Sequence, residues 1–85
     1  MKIRSEHYQY LLNAIKPMAS KIAEHRAFII EEGKAKDVET RLAWDLLWLS
    51  VPSNWVCDNL YPYMDNSHLN TAVKSILKTL EGAQP

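Results

Sequence analysis

This sequence has a single cysteine, Cys57, so a disulfide within the chain is excluded and a reducing compartment is the simpler setting. It has no excess of either charge. Ten Lys and Arg balance ten Asp and Glu, which argues against a protein held on nucleic acid mainly by counterion release. No stretch approaches the ~18 apolar residues of a membrane span, and Met1–His7 lacks the apolar run of a signal peptide. These absences point to a cytoplasmic protein without a membrane partner. Strand signals are missing too: no alternation of apolar and polar residues survives four positions without a proline or a charge. Soft metal ligands are few, and His7, His25, His68 and Cys57 match no zinc spacing. Neither a metal nor another cofactor is expected.

What the chain does have is a dense apolar stretch, Arg41-Leu42-Ala43-Trp44-Asp45-Leu46-Leu47-Trp48-Leu49, led by Asp37 and Val38. On a helix turning about 100° per residue, Val38, Leu42, Leu46 and Leu49 form one stripe. Ala43 and Leu47 cover the next sector, and Trp44 and Trp48 the one after. A helix apolar nearly all round belongs in the middle of a domain, so Trp44 and Trp48 are expected in the core. The 85 residues suit a single domain, with about 5–81 ordered and 82–85 a loose tail.

Around that centre the chain reads as helices. Ser5 is placed to cap the first, whose apolar face is Tyr8, Leu11, Leu12 and Ile15. Pro17 suggests a break, with a second helix restarting there; one kinked helix is the alternative. The second segment carries Met18, Ile22, His25 and Ile29 on one line, with Ala19, Ala23 and Ile30 beside it. Gly33 ends it, and Glu31 and Glu32 oppose the helix dipole, so this end is expected to fray. Asp37 caps the central helix, which Pro52 stops. Ser53 then caps a brief helix through Leu60 in which Cys57 serves as a small buried hydrophobe. Beyond Pro62, Asp65, Asn66 or Ser67 caps a last helix with the stripe Leu69, Ala72, Val73, Ile76, Leu77 and Leu80, and His68 helps satisfy the backbone there. Gly82 is its natural terminator. The fold class is all-α, a small bundle of four to five helices.

Arg41 and Asp45 form an i,i+4 pair. A carboxylate on so apolar a helix must be paired or must accept N–H bonds, for instance from the start of the last helix. No nucleophile or second acid stands beside it, so an enzyme is not expected. Between Arg41 and Lys74 there is no Lys or Arg, yet that span holds three tryptophans, two tyrosines and only Asp45, Asp58 and Asp65 as acids. Aromatics with sparse acids suit a protein-binding surface, whose expected members are Tyr61, Tyr63, Asp58 and Trp55. The alternative is DNA recognition by the last helix through Ser67, Asn70, Thr71, Lys74 and Lys78.

Two blocks carry a resemblance: Arg41-x-x-Trp44-Asp45-Leu46-Leu47, and Leu60-Tyr61-x-Tyr63-Met64-Asp65-Asn66-x-His68-Leu69-x-Thr71-Ala72. With His7-Tyr8 upstream, the chain resembles a group of small uncharacterised proteins of tailed bacteriophages and prophages. The resemblance implies a phage origin and the bacterial host cytoplasm, and it supplies no mechanism. The function this supports is that of a non-enzymatic phage accessory protein that binds a host or phage protein, for instance in counter-defence or host takeover. A small DNA-binding regulator is the runner-up. The two blocks further suggest a clasp in which the Tyr61–His68 corner bonds to Asp45 or Arg41.

Overall fold

The computed structural model describes residues 3–82. Helix α1 spans Ser5–Ile15, a 3-10 segment spans Lys16–Lys21, α2 spans Ile22–Glu32, α3 Val38–Ser50, α4 Ser53–Asn59 and α5 Asn66–Gly82. No strand occurs among the described residues. The protein is an all-α bundle.

Helix α3 lies at the centre, packed against α5, α2 and α1. It starts where Asp37 accepts hydrogen bonds from the Thr40 N–H (3.2 Å) and hydroxyl (2.7 Å), which satisfies a donor that the first turn leaves free. It buries Leu42, Ala43, Leu46 and Leu47. All six stripe residues of α5 are buried as well, and all but Ala72 share one core with Leu11, Ile15, Ile22, Ile29, Val56 and Leu60. Among the described residues that core contains no buried polar or charged residue.

Several local expectations are corrected. Pro17 does not break the chain; the backbone stays helical from α1 to α2, wound as a 3-10 segment in between. The tighter i→i+3 winding, seen where the Ile22 N–H bonds to the Ala19 carbonyl, carries the chain past the proline without the hydrogen bond it cannot donate. Ser5 is the first residue of α1 and Arg4 holds the cap position, with no side-chain cap. Likewise Pro52, not Ser53, precedes α4 as its cap residue. Helix α2 continues through Glu31 and Glu32. Gly33 closes it at φ 70°, a left-handed conformation suited to glycine, and Arg41 Nη1 bonds Glu32 at 2.8 Å. Asp65 caps α5, accepting from the His68 N–H at 2.9 Å. Helix α5 includes Gly82 rather than stopping before it; the tail 83–85 lies outside the described residues.

Polar ties lock the helices together. Arg26 of α2 donates through Nε and Nη2 to both Glu39 oxygens (2.9 and 2.8 Å) and also bonds Glu81 of α5. The Tyr8 hydroxyl of α1 lies 3.3 Å from Ser75 Oγ and 3.2 Å from Thr79 Oγ1 on α5.

Candidate functional site

Trp44 and Trp48 stand one turn apart on α3, which stacks their rings at 5.7 Å and 26°. Trp44 is half-buried, and its Nε1–H donates to Asn70 Oδ1 at 2.7 Å, giving the indole the partner it needs when withdrawn from water. Trp48 is not a core residue: it is 41% exposed, and Leu49 beside it is 69% exposed. The Trp48 ring tilts against Tyr61 at 6.5 Å.

The turn after α4 is pinned by its backbone. The Tyr61 N–H bonds to the Val56 carbonyl (3.2 Å), and the N–H groups of Tyr63 and Met64 bond to the Leu60 carbonyl (3.1 Å each). Pro62 at the middle of this turn separates two tyrosines with different surroundings. Tyr61 meets Trp48, whereas Tyr63 lines an open cleft of about 540 Å³ with Asp58, Met64, His7, Arg4 and Ile3. Trp55 adjoins that cleft through His7, whose ring meets it edge-on at 5.4 Å, and stacks on Tyr10 at 4.3 Å. Of the four expected partner-binding residues, Asp58 and Tyr63 therefore share the cleft, Trp55 borders it, and Tyr61 belongs to a separate aromatic cluster on α3. Asp58 has no ion pair or hydrogen bond among the described side chains.

The clasp takes a different form from the one expected. Asp45 does not reach the start of α5; its Oδ2 accepts from His25 Nε2 at 2.8 Å and lies 3.5 Å from Arg41 Nε. Its side chain is 32% exposed, so the carboxylate is half-solvated and needs no deeper partner. The corner touches the central helix through Tyr61 on Trp48 instead. Cys57 is also corrected, since it is exposed. It should react with a thiol reagent in the folded protein about as fast as in denaturant; a strong lag under native conditions would show the thiol covered.

The residues of the DNA alternative share α5 but are otherwise engaged. Asn70 is held by Trp44, and the Thr71 hydroxyl donates to the Ser67 carbonyl at 3.0 Å. Lys74 Nζ lies 3.5 Å from Asp37, and Lys78 lines a shallow groove with Asp37, Glu39 and Glu81. Asp37 keeps its charge readily, because the Thr40 hydroxyl and N–H, with Lys74 beyond them, lower its pKa. A phosphate approaching either lysine meets carboxylates. Asp65, lowered by the His68 N–H and ring, likewise stays ionised at the start of α5.

No group of three His, Cys, Asp or Glu suited to a metal occurs among the described residues, and none of the described helices is long and apolar enough to cross a membrane. The chain matches no family model, no curated protein and no solved structure.

Two residues that the sequence pattern sets beside the apolar line of the second helix are corrected: Ile30 is 59% exposed, and Ala23 is exposed too. Phe28, which the pattern did not single out, is 54% exposed. Phe28 sits about 100° from Ile29 on the α2 wheel, which was the available signal that it leaves the buried line.

Proposed function

We propose that this protein acts by binding another protein, and that Trp48, Tyr61, Tyr63 and Asp58 form the contact surface. The observation that carries this reading is the exposure of Trp48, Tyr61 (43%) and Tyr63 (61%) on a turn and helix end that the backbone holds rigid. Rigid aromatic side chains supply contact area at low entropic cost and dominate binding energy where they sit centrally. The span from Leu42 to Val73 carries no Lys or Arg, so a partner segment with basic residues suits it, with Asp58 exposed there. The resemblance in the two sequence blocks supports a phage origin and the bacterial cytoplasm; small size, balanced charge and the lack of a nucleophile or second acid beside Asp45 support reading the chain as a non-enzymatic accessory protein with a host or phage protein as partner.

The test is affinity capture from infected host lysate with paired variants. Tyr61→Ala/Tyr63→Ala should lose the captured partner, at ~2 kcal/mol or more for a central tyrosine, while retaining its helical spectrum. Lys74→Ala/Lys78→Ala should retain it. Inactive lysine variants together with salt-sensitive binding to duplex DNA would transfer the function to α5.

A further inference from the structure

Helix α4 is fastened to the bundle differently from the other four helices. Each of those is joined to a neighbour by a side-chain hydrogen bond: α1 to α5 through Tyr8, α2 to α3 through His25 and Asp45, and α3 to α5 through Trp44 and Asn70. The segment Pro52–Met64, which holds α4 and the turn after it, makes no hydrogen bond or ion pair to the rest of the described residues. Its bonds close on themselves. The Trp55 and Val56 N–H groups reach the Pro52 carbonyl, those of Leu60 and Tyr61 the Val56 carbonyl, and those of Tyr63 and Met64 the Leu60 carbonyl. Asn59 Nδ2 donates to the Trp55 carbonyl. Only side-chain packing fastens the segment. Val56 and Leu60 are buried, Trp55 stacks on Tyr10 of α1 with His7 edge-on, and Tyr61 leans on Trp48.

Both flanking helices are complete without it. The Val51 N–H bonds to the Leu47 carbonyl at 2.8 Å and closes α3, while Asp65 caps α5 from outside the segment. The joints are non-helical: Val51 and Pro52 have extended backbone (ψ 132° and 135°), and Met64 and Asp65 lie in no regular structure. Undocking the segment therefore exposes apolar surface but leaves no polar group of another helix without its partner. Detaching any other helix breaks at least one such bond. We propose that Pro52–Met64 is a flap that opens as one unit while α1, α2, α3 and α5 stay folded, with Trp55 on Tyr10 and His7 as its latch. Once undocked, a helix of seven residues does not hold itself together in water, so the open segment unravels and its amides meet solvent. Local openings of this kind draw on the least stable cooperative unit of a domain. The closed form dominates, and in it the turn keeps its contact residues in place. Opening parts Tyr61 from Trp48 and takes Asp58 and Tyr63 out of the cleft. A partner bound to the closed surface holds the flap shut by its preference for that form; this consequence rests on the proposed partner surface, whereas the opening itself does not.

Native-state hydrogen exchange on the full chain, read by NMR at low denaturant, tests this without a partner, so its failure is distinct from a failed capture. The Leu60, Tyr61 and Met64 amides should exchange about tenfold or more faster than the slowest amides of α3 and α5. Their denaturant dependence should be less than about half as steep, because opening the flap exposes far less surface than global unfolding. Trp55→Ala should speed these amides about tenfold or more, through the lost stacking and burial. Arg26→Ala should speed the slowest amides of α3 and α5 yet leave the flap amides within about threefold, since the bonds of Arg26 persist when the flap opens. Flap amides as slow as the slowest of α3 and α5, or with the same denaturant slope, would overturn the proposal. So would a Trp55→Ala protein with unchanged flap exchange, or an Arg26→Ala protein in which both sets of amides speed up alike.

Discussion

Leu46→Ala is expected to lose ~2–5 kcal/mol of stability, as a cavity opens in a core that cannot fully collapse around it, whereas Leu49→Ala, three residues on, should stay within ~0.5 kcal/mol. Leu46 is 1% exposed and Leu49 69%, although sequence periodicity puts both on one stripe. Chemical denaturation of the two variants measures the contrast directly. Comparable losses at the two sites would mean that the end of α3 is rotated from the arrangement described.

Arg26→Ala should cost ~1–2 kcal/mol near neutral pH, the lower part of the range for hydrogen bonds to charged groups because Glu39 is about half exposed. Arg26 joins three helices at once, and its removal leaves Glu39 and Glu81 without the cation bonded to them, Lys78 only sharing their groove. The Arg26 hydrogen bonds hold the Glu39 carboxyl below its ordinary pKa of 4.5. Its contribution to stability is therefore fully present above about pH 4.5 and disappears as pH falls through the lower folded value. Glu39→Gln should flatten the loss of stability between pH 5 and 3, though Asp37 and Asp65, both lowered, keep part of the slope. Thermal melts across that interval supply the readout. An Arg26→Ala protein as stable as the parent at pH 7, or an unchanged acid slope in Glu39→Gln, would show the network to be idle.

Helical periodicity located every long helix and the whole buried stripe of α5, because an amphipathic pattern of that length admits one phase. It failed at the rims of the other helices. Trp48, Leu49, Phe28 and Ile30 are apolar residues left in solvent, and hydrophobicity alone does not say whether a neighbouring helix arrives to cover them. Asp45 follows the same rule: its apolar neighbours in sequence imply cover on all sides, while α3 meets water along the sector of Arg41, Asp45 and Trp48. His25 as the partner of Asp45 was beyond reach of spacing, since the two are twenty residues apart and meet only through the packing of α2 on α3. In the candidate site, Asp58, Tyr61 and Tyr63 were legible as cation-free, proline-flanked positions. Their division between two surroundings depends on which way the turn after α4 is folded.

Pro17 also governs the dimensions of the molecule. Leu11, Ile15, Met18, Ile22, His25 and Ile29 recur at spacings that an unbroken α-helix would line up along one side. Such a rod from Ser5 to Glu32 would be ~42 Å long, longer than the 34 Å greatest extent of the protein. Straight, it would project beyond α3 and α5 and offer its apolar edge to any similar rod, in the manner of an extended coiled coil. The six residues of 3-10 winding turn each residue about 120° instead of 100°, which shifts the side-chain phase of the second half about the helix axis by roughly a third of a circle. The 34 Å extent requires in addition that the axis bend between Ser5 and Glu32, so that the two halves of the chain's longest amphipathic stretch both pack on the central helix instead of running on as a rod.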